Sequence, residues 1–149
     1  MSEIRFYQLS RSSLASALSG ILAKALERSM RAVVAAGSAE LAEKVSADLW
    51  TEDPSGFLPH GTEKDGESAM QPVFIGAGEE NPNGAKLLIT LEGAEPASPD
   101  AFELCCIVFA GSDDAALGRA LAAWKTLKEA GHVLSYWQQD DAGRWQKTA

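Results

Sequence analysis

Between Ala120 and Gln139 the chain gathers Trp124, Lys125, Lys128, His132, Tyr136 and Trp137. Lysines beside indole and phenol rings can hold a carboxylate next to an aromatic group. The cations supply attraction that salt screens, and the rings supply apolar contact. Leu117, Leu121, Lys125 and Lys128 follow one another at spacings of four, four and three, which puts them close to one line on a helix. An apolar wall that ends in two cations suits an acidic ligand with an aromatic end. The lysines have a plainer structural reading as complements to the carbonyls at a helix C-terminus. That reading leaves the crowding of aromatic residues unexplained.

A second constellation is Trp50, Phe57, Pro59 and His60, within the polar stretch Leu49 to His60. Aromatic residues in such a stretch either pin the chain to the core or anchor a protein partner. The residues alone leave both open.

Catalytic chemistry finds little support. His60 and His132 have no Cys or His within a few residues, so no metal site is expected. No Ser or Cys stands beside a base and an orienting group, so no catalytic residue is assigned. Gly76-Ala77-Gly78 follows an apolar run, but Asn81 occupies the place of the third glycine of a dinucleotide-binding turn. Asn81-Pro82-Asn83-Gly84 then leads into a strand pattern, which predicts a loop or hairpin rather than a helix start that could hold a pyrophosphate. With no Gly-Lys-Ser/Thr phosphate loop, no cofactor is expected.

The elements around these residues alternate. Ile4 to Leu9 reads as a strand, and Ser13 to about Met30 as an amphipathic helix opened by a serine cap. Ala32 to Ala36 reads as a buried strand, followed by a helix capped at Ser38 with Leu41, Val45 and Leu49 inward. Thr51 to Pro72, rich in Pro, Gly and acids, reads as a long surface connection. Val73 to Ile75, Lys86 to Thr90 and Leu104 to Ala110 read as strands. Asp113 to Ala130 is the third helix, with Leu117, Ala120, Leu121, Trp124 and Leu127 as its apolar stripe and Gly131 as its stop. Val133 to Gln138 and Arg144 to Lys147 flank a turn at Asp140-Asp141-Ala142-Gly143. The expected class is α/β, with a mixed sheet, three main helices and one domain over residues 1–149.

A net charge of −8 argues against a broad nucleic-acid or membrane footprint, which needs cations over a whole face. Contact with DNA is therefore expected to be indirect. Cys105 and Cys106 are adjacent in an apolar run, which on a strand sends them to opposite faces and predicts free, buried thiols. No stretch is apolar enough to span a bilayer, and a cytoplasmic setting is expected.

Three segments, Phe6-Tyr7-Gln8-Leu9, Leu49 to His60, and Trp124-Lys125 through Ala130-Gly131-His132 to Tyr136-Trp137-Gln138-Gln139, resemble the chi subunit of bacterial DNA polymerase III in order and spacing. The resemblance implies a fold similar to nucleotide-binding folds but without catalysis. It also implies a role as the link between the clamp loader and single-stranded DNA-binding protein, through that protein's acidic C-terminal tail ending in phenylalanine. By the same resemblance, Trp124, Lys125 and Lys128 belong to the tail site. Leu117 and Leu121 occupy positions where the family commonly has cations, and Arg119 is the nearest other cation. Trp50, Phe57, Pro59 and His60 would face the psi subunit or a substitute. A small α/β enzyme with a nucleotide-binding-like fold is the alternative.

Overall fold

The computed structural model describes residues 2–52, 60–62, 66 and 68–149. In chain order its elements are β1 (Glu3–Leu9), α1 (Leu14–Glu27), β2 (Ala32–Ala35), α2 (Ala39–Glu52), β3 (His60–Gly61), β4 (Val73–Gly76), β5 (Leu87–Leu91), β6 (Leu104–Ala110), α3 (Asp114–Glu129), β7 (Val133–Gln139) and β8 (Trp145–Lys147). Side chains start each helix. Ser13 Oγ accepts from the Ser16 amide, Ser38 Oγ from the Leu41 amide, and the Asp113 carboxylate from the amides of Ala115 and Ala116, each satisfying donors that the first turn leaves over. At the far end of α3, Gly131 takes φ +90° and stops the helix.

The strands form one eight-stranded sheet in the order β3-β4-β2-β5-β6-β1-β7-β8. All neighbours run parallel except the β7–β8 hairpin. This is the α/β, mixed-sheet, three-helix architecture that the sequence predicts. The alternating direction of strand side chains sorts the core into two layers. Tyr7, Leu9, Val34, Ile89, Cys106 and Val108 pack with α1 and α2 on one face. Ile4, Phe6, Val33, Leu88, Cys105, Ile107 and Phe109 pack with α3 on the other. Cys105 and Cys106 are thus free, buried and on opposite faces, and burial pushes both thiols up to about 12.

One expectation is narrowed and two need correction. Of the loop or hairpin expected after Gly76, the structure has the loop: β4 and β5 lie on either side of β2 and are both parallel to it. Turn chemistry at Asn81–Gly84 carries no information on the direction of the next strand. Here Asn81 instead braces the crossover, accepting the Ala85 amide at 2.6 Å and donating to the Ala85 carbonyl at 3.0 Å. The connection from Thr51 is not wholly superficial either, since α2 runs on to Glu52 and His60, Gly61 and Thr62 are buried. A two-residue strand has no periodicity to read. Finally, the inward positions of α3 are Ala116, Ala120, Ala123 and Leu127, and Leu121 is 54% exposed. Small alanines let the helix approach the sheet closely, so the largest apolar residues mark its flank and not its centre.

Candidate functional site

Trp124 and Leu117 are half-buried on the flank of α3 that faces β1 and β7. The Trp124 ring meets Phe6 edge-on at 5.3 Å and Tyr136 at 5.9 Å, while Phe6 and Tyr136 stack at 6.0 Å. Phe109 adds an edge contact to Tyr136 at 6.2 Å. The Tyr136 hydroxyl donates to Gln8 Oε1 at 2.6 Å, and burial raises its pKa. This cluster fixes the indole, and such aromatic pairs add about 1 kcal/mol each beyond area burial. Outside it on the same flank stand Leu121, Lys125 and Lys128, all exposed. Among the described residues neither lysine takes part in an ion pair. The result is a short apolar wall with a two-cation rim.

Other residues from the sequence cluster lie elsewhere. Arg119 turns to the opposite flank, where its Nε donates to the Glu92 carbonyl at 2.9 Å. His132 accepts the Ser2 amide at Nδ1, 3.1 Å away, and so fastens the start of β1. Trp137 points through the sheet to the α1 face, stacks on Tyr7 at 6.1 Å and donates to Ser135 Oγ. The aromatic crowding seen in sequence is therefore divided between two faces.

At the far end of the sheet Trp50 is 46% exposed on the last turn of α2. Its ring lies 4.2 Å from the buried His60 ring, whose Nε2 is 3.1 Å from the Ser46 carbonyl. That carbonyl fixes Nε2 as a donor. Phe57 and Pro59 lie outside the described residues.

The place where nucleotide-binding folds hold phosphate also has a definite structure. α1 and α3 leave the neighbouring strands β1 and β6 towards opposite faces, and such a switch point is where α/β sheets bind ligands. A cavity of about 480 Å³ opens there. The amides of Ser10, Arg11 and Ser12 all donate to Gln139 Oε1, at 2.9, 2.9 and 3.2 Å. Gln139 Nε2 in turn donates to Ser12 Oγ at 2.8 Å. Across the cavity the Asp113 carboxylate occupies the first amides of α3. Both amide clusters that could cradle an anion are thus filled by the chain's own side chains. Sequence reasoning missed this clasp, because a glutamine separated from its partners by most of the chain gives no local signal.

A family model described as DNA polymerase III chi subunit, HolC, matches residues 1–135. The chain is also 26% identical, over 91 residues, to a protein of Rickettsia prowazekii (strain Madrid E) named Probable DNA polymerase III subunit chi. That match covers 61% of this chain and 55% of the relative, about half of the relative's length. The chain belongs to the DNA polymerase III chi subunit family.

Proposed function

We propose that this protein is a non-catalytic accessory subunit of DNA polymerase III. In this reading it links the clamp-loader assembly to single-stranded DNA-binding protein by taking that protein's acidic C-terminal tail. The observation that carries the reading is the exposed flank of α3, where Leu121 stands beside Lys125 and Lys128 over a Trp124 ring that is held from behind. The tail's terminal phenylalanine would lie against Leu117, Leu121 and Trp124, with its carboxylates at the lysines. Burying one phenyl ring is worth about 2 kcal/mol, and exposed cations mainly speed encounter. The sum is modest, reversible, salt-sensitive binding, which suits a tether that must release. Arg119 faces away from this wall and has at most a long-range part.

Titration with a peptide from the tail of single-stranded DNA-binding protein tests the reading. Lys125→Glu with Lys128→Glu should reduce binding by at least about tenfold, the equivalent of 1.4 kcal/mol, in a protein that stays folded. Unchanged binding by that double variant would remove the site from α3.

The exposed Trp50 ring over His60 favours a second docking surface for the psi subunit or a substitute, to which the sequence would add Phe57 and Pro59. Aromatic anchors of this kind commonly lose about 2 kcal/mol or more of binding when truncated. A pull-down of clamp-loader components with Trp50→Ala and Phe57→Ala should show a selective loss, with tail-peptide binding intact. The enzymatic alternative has no support from the filled amide cluster at Ser10–Ser12. Saturable nucleotide binding by the purified protein would revive it.

A further inference from the structure

On the face of the sheet away from α3, a cavity of about 310 Å³ lies between α1 and the β1–β7–β8 strands. Its floor is aromatic. Tyr7 stacks on Trp137 at 6.1 Å and meets Trp145 edge-on at 4.9 Å, and both tryptophans are half-buried. Its wall is one ridge of α1 and the cap that ends it, the i, i+4 series Ser16, Gly20, Lys24 and the C-cap Arg28, all exposed and all lining the cavity. Two features of that ridge work against the helix. A glycine within a helix weakens it relative to alanine, yet a Cβ built on Gly20 would meet nothing within 4 Å, so no contact of the protein requires glycine there. Lys24 and Arg28 are like charges at i, i+4, a spacing that is unfavourable, and neither takes part in an ion pair among the described residues. Cations near a helix C-terminus complement its dipole, which accounts for their charge but not for the space at Gly20. Arg5, also on the rim, already has Glu3 Oε2 at 2.6 Å.

We propose that this groove binds a small anion with a flat aromatic body, the ring lying on Trp137 and Trp145 in the space left by Gly20 and the anionic group between Lys24 and Arg28. The size falls in the range of small-ligand sites, which are apolar with a few placed polar groups. The charge is complementary, two cations without an ion pair among the described residues on a chain of net charge −8. Gly143 and Trp145 lie beyond residue 135, where the family match ends, so the match does not cover the β8 side of the floor. The proposal is independent of the tail-binding reading, whose residues are on the other face of the sheet.

The test is titration of the whole chain with 2-naphthoate, 2-naphthyl phosphate and neutral 2-naphthylmethanol, followed by amide and indole NMR shifts. Saturable shifts are expected at Gly20, Trp137 and Trp145, with both anions ahead of the alcohol. Gly20→Leu should fill the groove and weaken naphthoate by at least about tenfold while the helix holds. Gly20→Ala is the folding control and should bind nearly as the parent does. Lys24→Gln with Arg28→Gln should bring the anions down to the level of the alcohol. Equal binding by parent and Gly20→Leu would overturn the proposal, as would shifts confined to Trp124 and Lys125, or no saturation. A tail peptide that displaces naphthoate from the groove more tightly than either anion binds would overturn the small-molecule assignment.

Discussion

Trp124 and Trp50 sit towards opposite ends of one sheet and do opposite work. Trp124 is braced by Phe6 and Tyr136 and offers a partner only its edge and the residues around it. Trp50 is 46% exposed and, among the described residues, stacks on the buried His60 imidazole, so much of its ring is open to a partner. An indole that is held from several sides shapes a surface, whereas one held from below can itself become the contact. The difference separates the cost of losing the fold from the cost of losing a partner, and four measurements bear on it.

The largest effect is expected from alkali, which should strike both ends together. The thiols of Cys105 and Cys106 have folded pKa values raised from 9.0 to about 12. Their contribution to stability is therefore complete below about pH 9 and is lost as pH rises from 9 towards 12. At 1.4 kcal/mol per unit the fully buried Cys106 accounts for about 4 kcal/mol at most. Urea unfolding between pH 8 and 11 should show the fall, and Cys106→Ala should flatten it.

Trp124→Ala should cost about 3 kcal/mol, the usual scale for removing a packed aromatic residue. Trp50→Ala should cost under about 1 kcal/mol, as exposed substitutions do. Similar losses in the two urea curves would break the contrast. A smaller loss, about 1 kcal/mol, is expected for Gln139→Leu, which leaves to water three amides that Oε1 now satisfies. Hydrogen exchange at Ser10, Arg11 and Ser12 should rise in that variant while Trp124 and Trp50 report no change. The smallest stability change, within about 0.5 kcal/mol, is expected for Lys125→Glu with Lys128→Glu. A larger one would mean that the lysines hold the helix end and do not form a free rim.

The sequence made the helices and most strands legible because caps and periodicity are local signals: Ser13, Ser38 and Asp113 mark helix starts, and the alternation at Cys105-Cys106 separates two faces. Direction and partnership were not legible. Nothing in Asn81–Gly84 tells a parallel crossover from a hairpin. On α3, alanines at the inward positions give no hydrophobic peak, so the sequence pattern puts Leu121 in the apolar stripe although it is the exposed centre of the candidate wall. Trp124, Lys125 and Lys128 were found because they lie within five residues on one helix. The Gln139 clasp and the Tyr7–Trp145 contact join opposite ends of the chain, and only the fold brings them together.

The position of β1 has a consequence for how the protein is made. This strand pairs on one side with residues 104–110 and on the other with 133–138, both made long after it. At about 5–20 residues per second, Ile4, Phe6 and Tyr7 wait for seconds before either neighbour exists. During synthesis an inner strand of the final sheet is therefore an unpaired apolar segment, open to mispairing with another nascent chain. Folding that depends on such distant partners is also intrinsically slow. The yield of folded protein should depend on how well β1 is shielded until residues 104–138 have emerged.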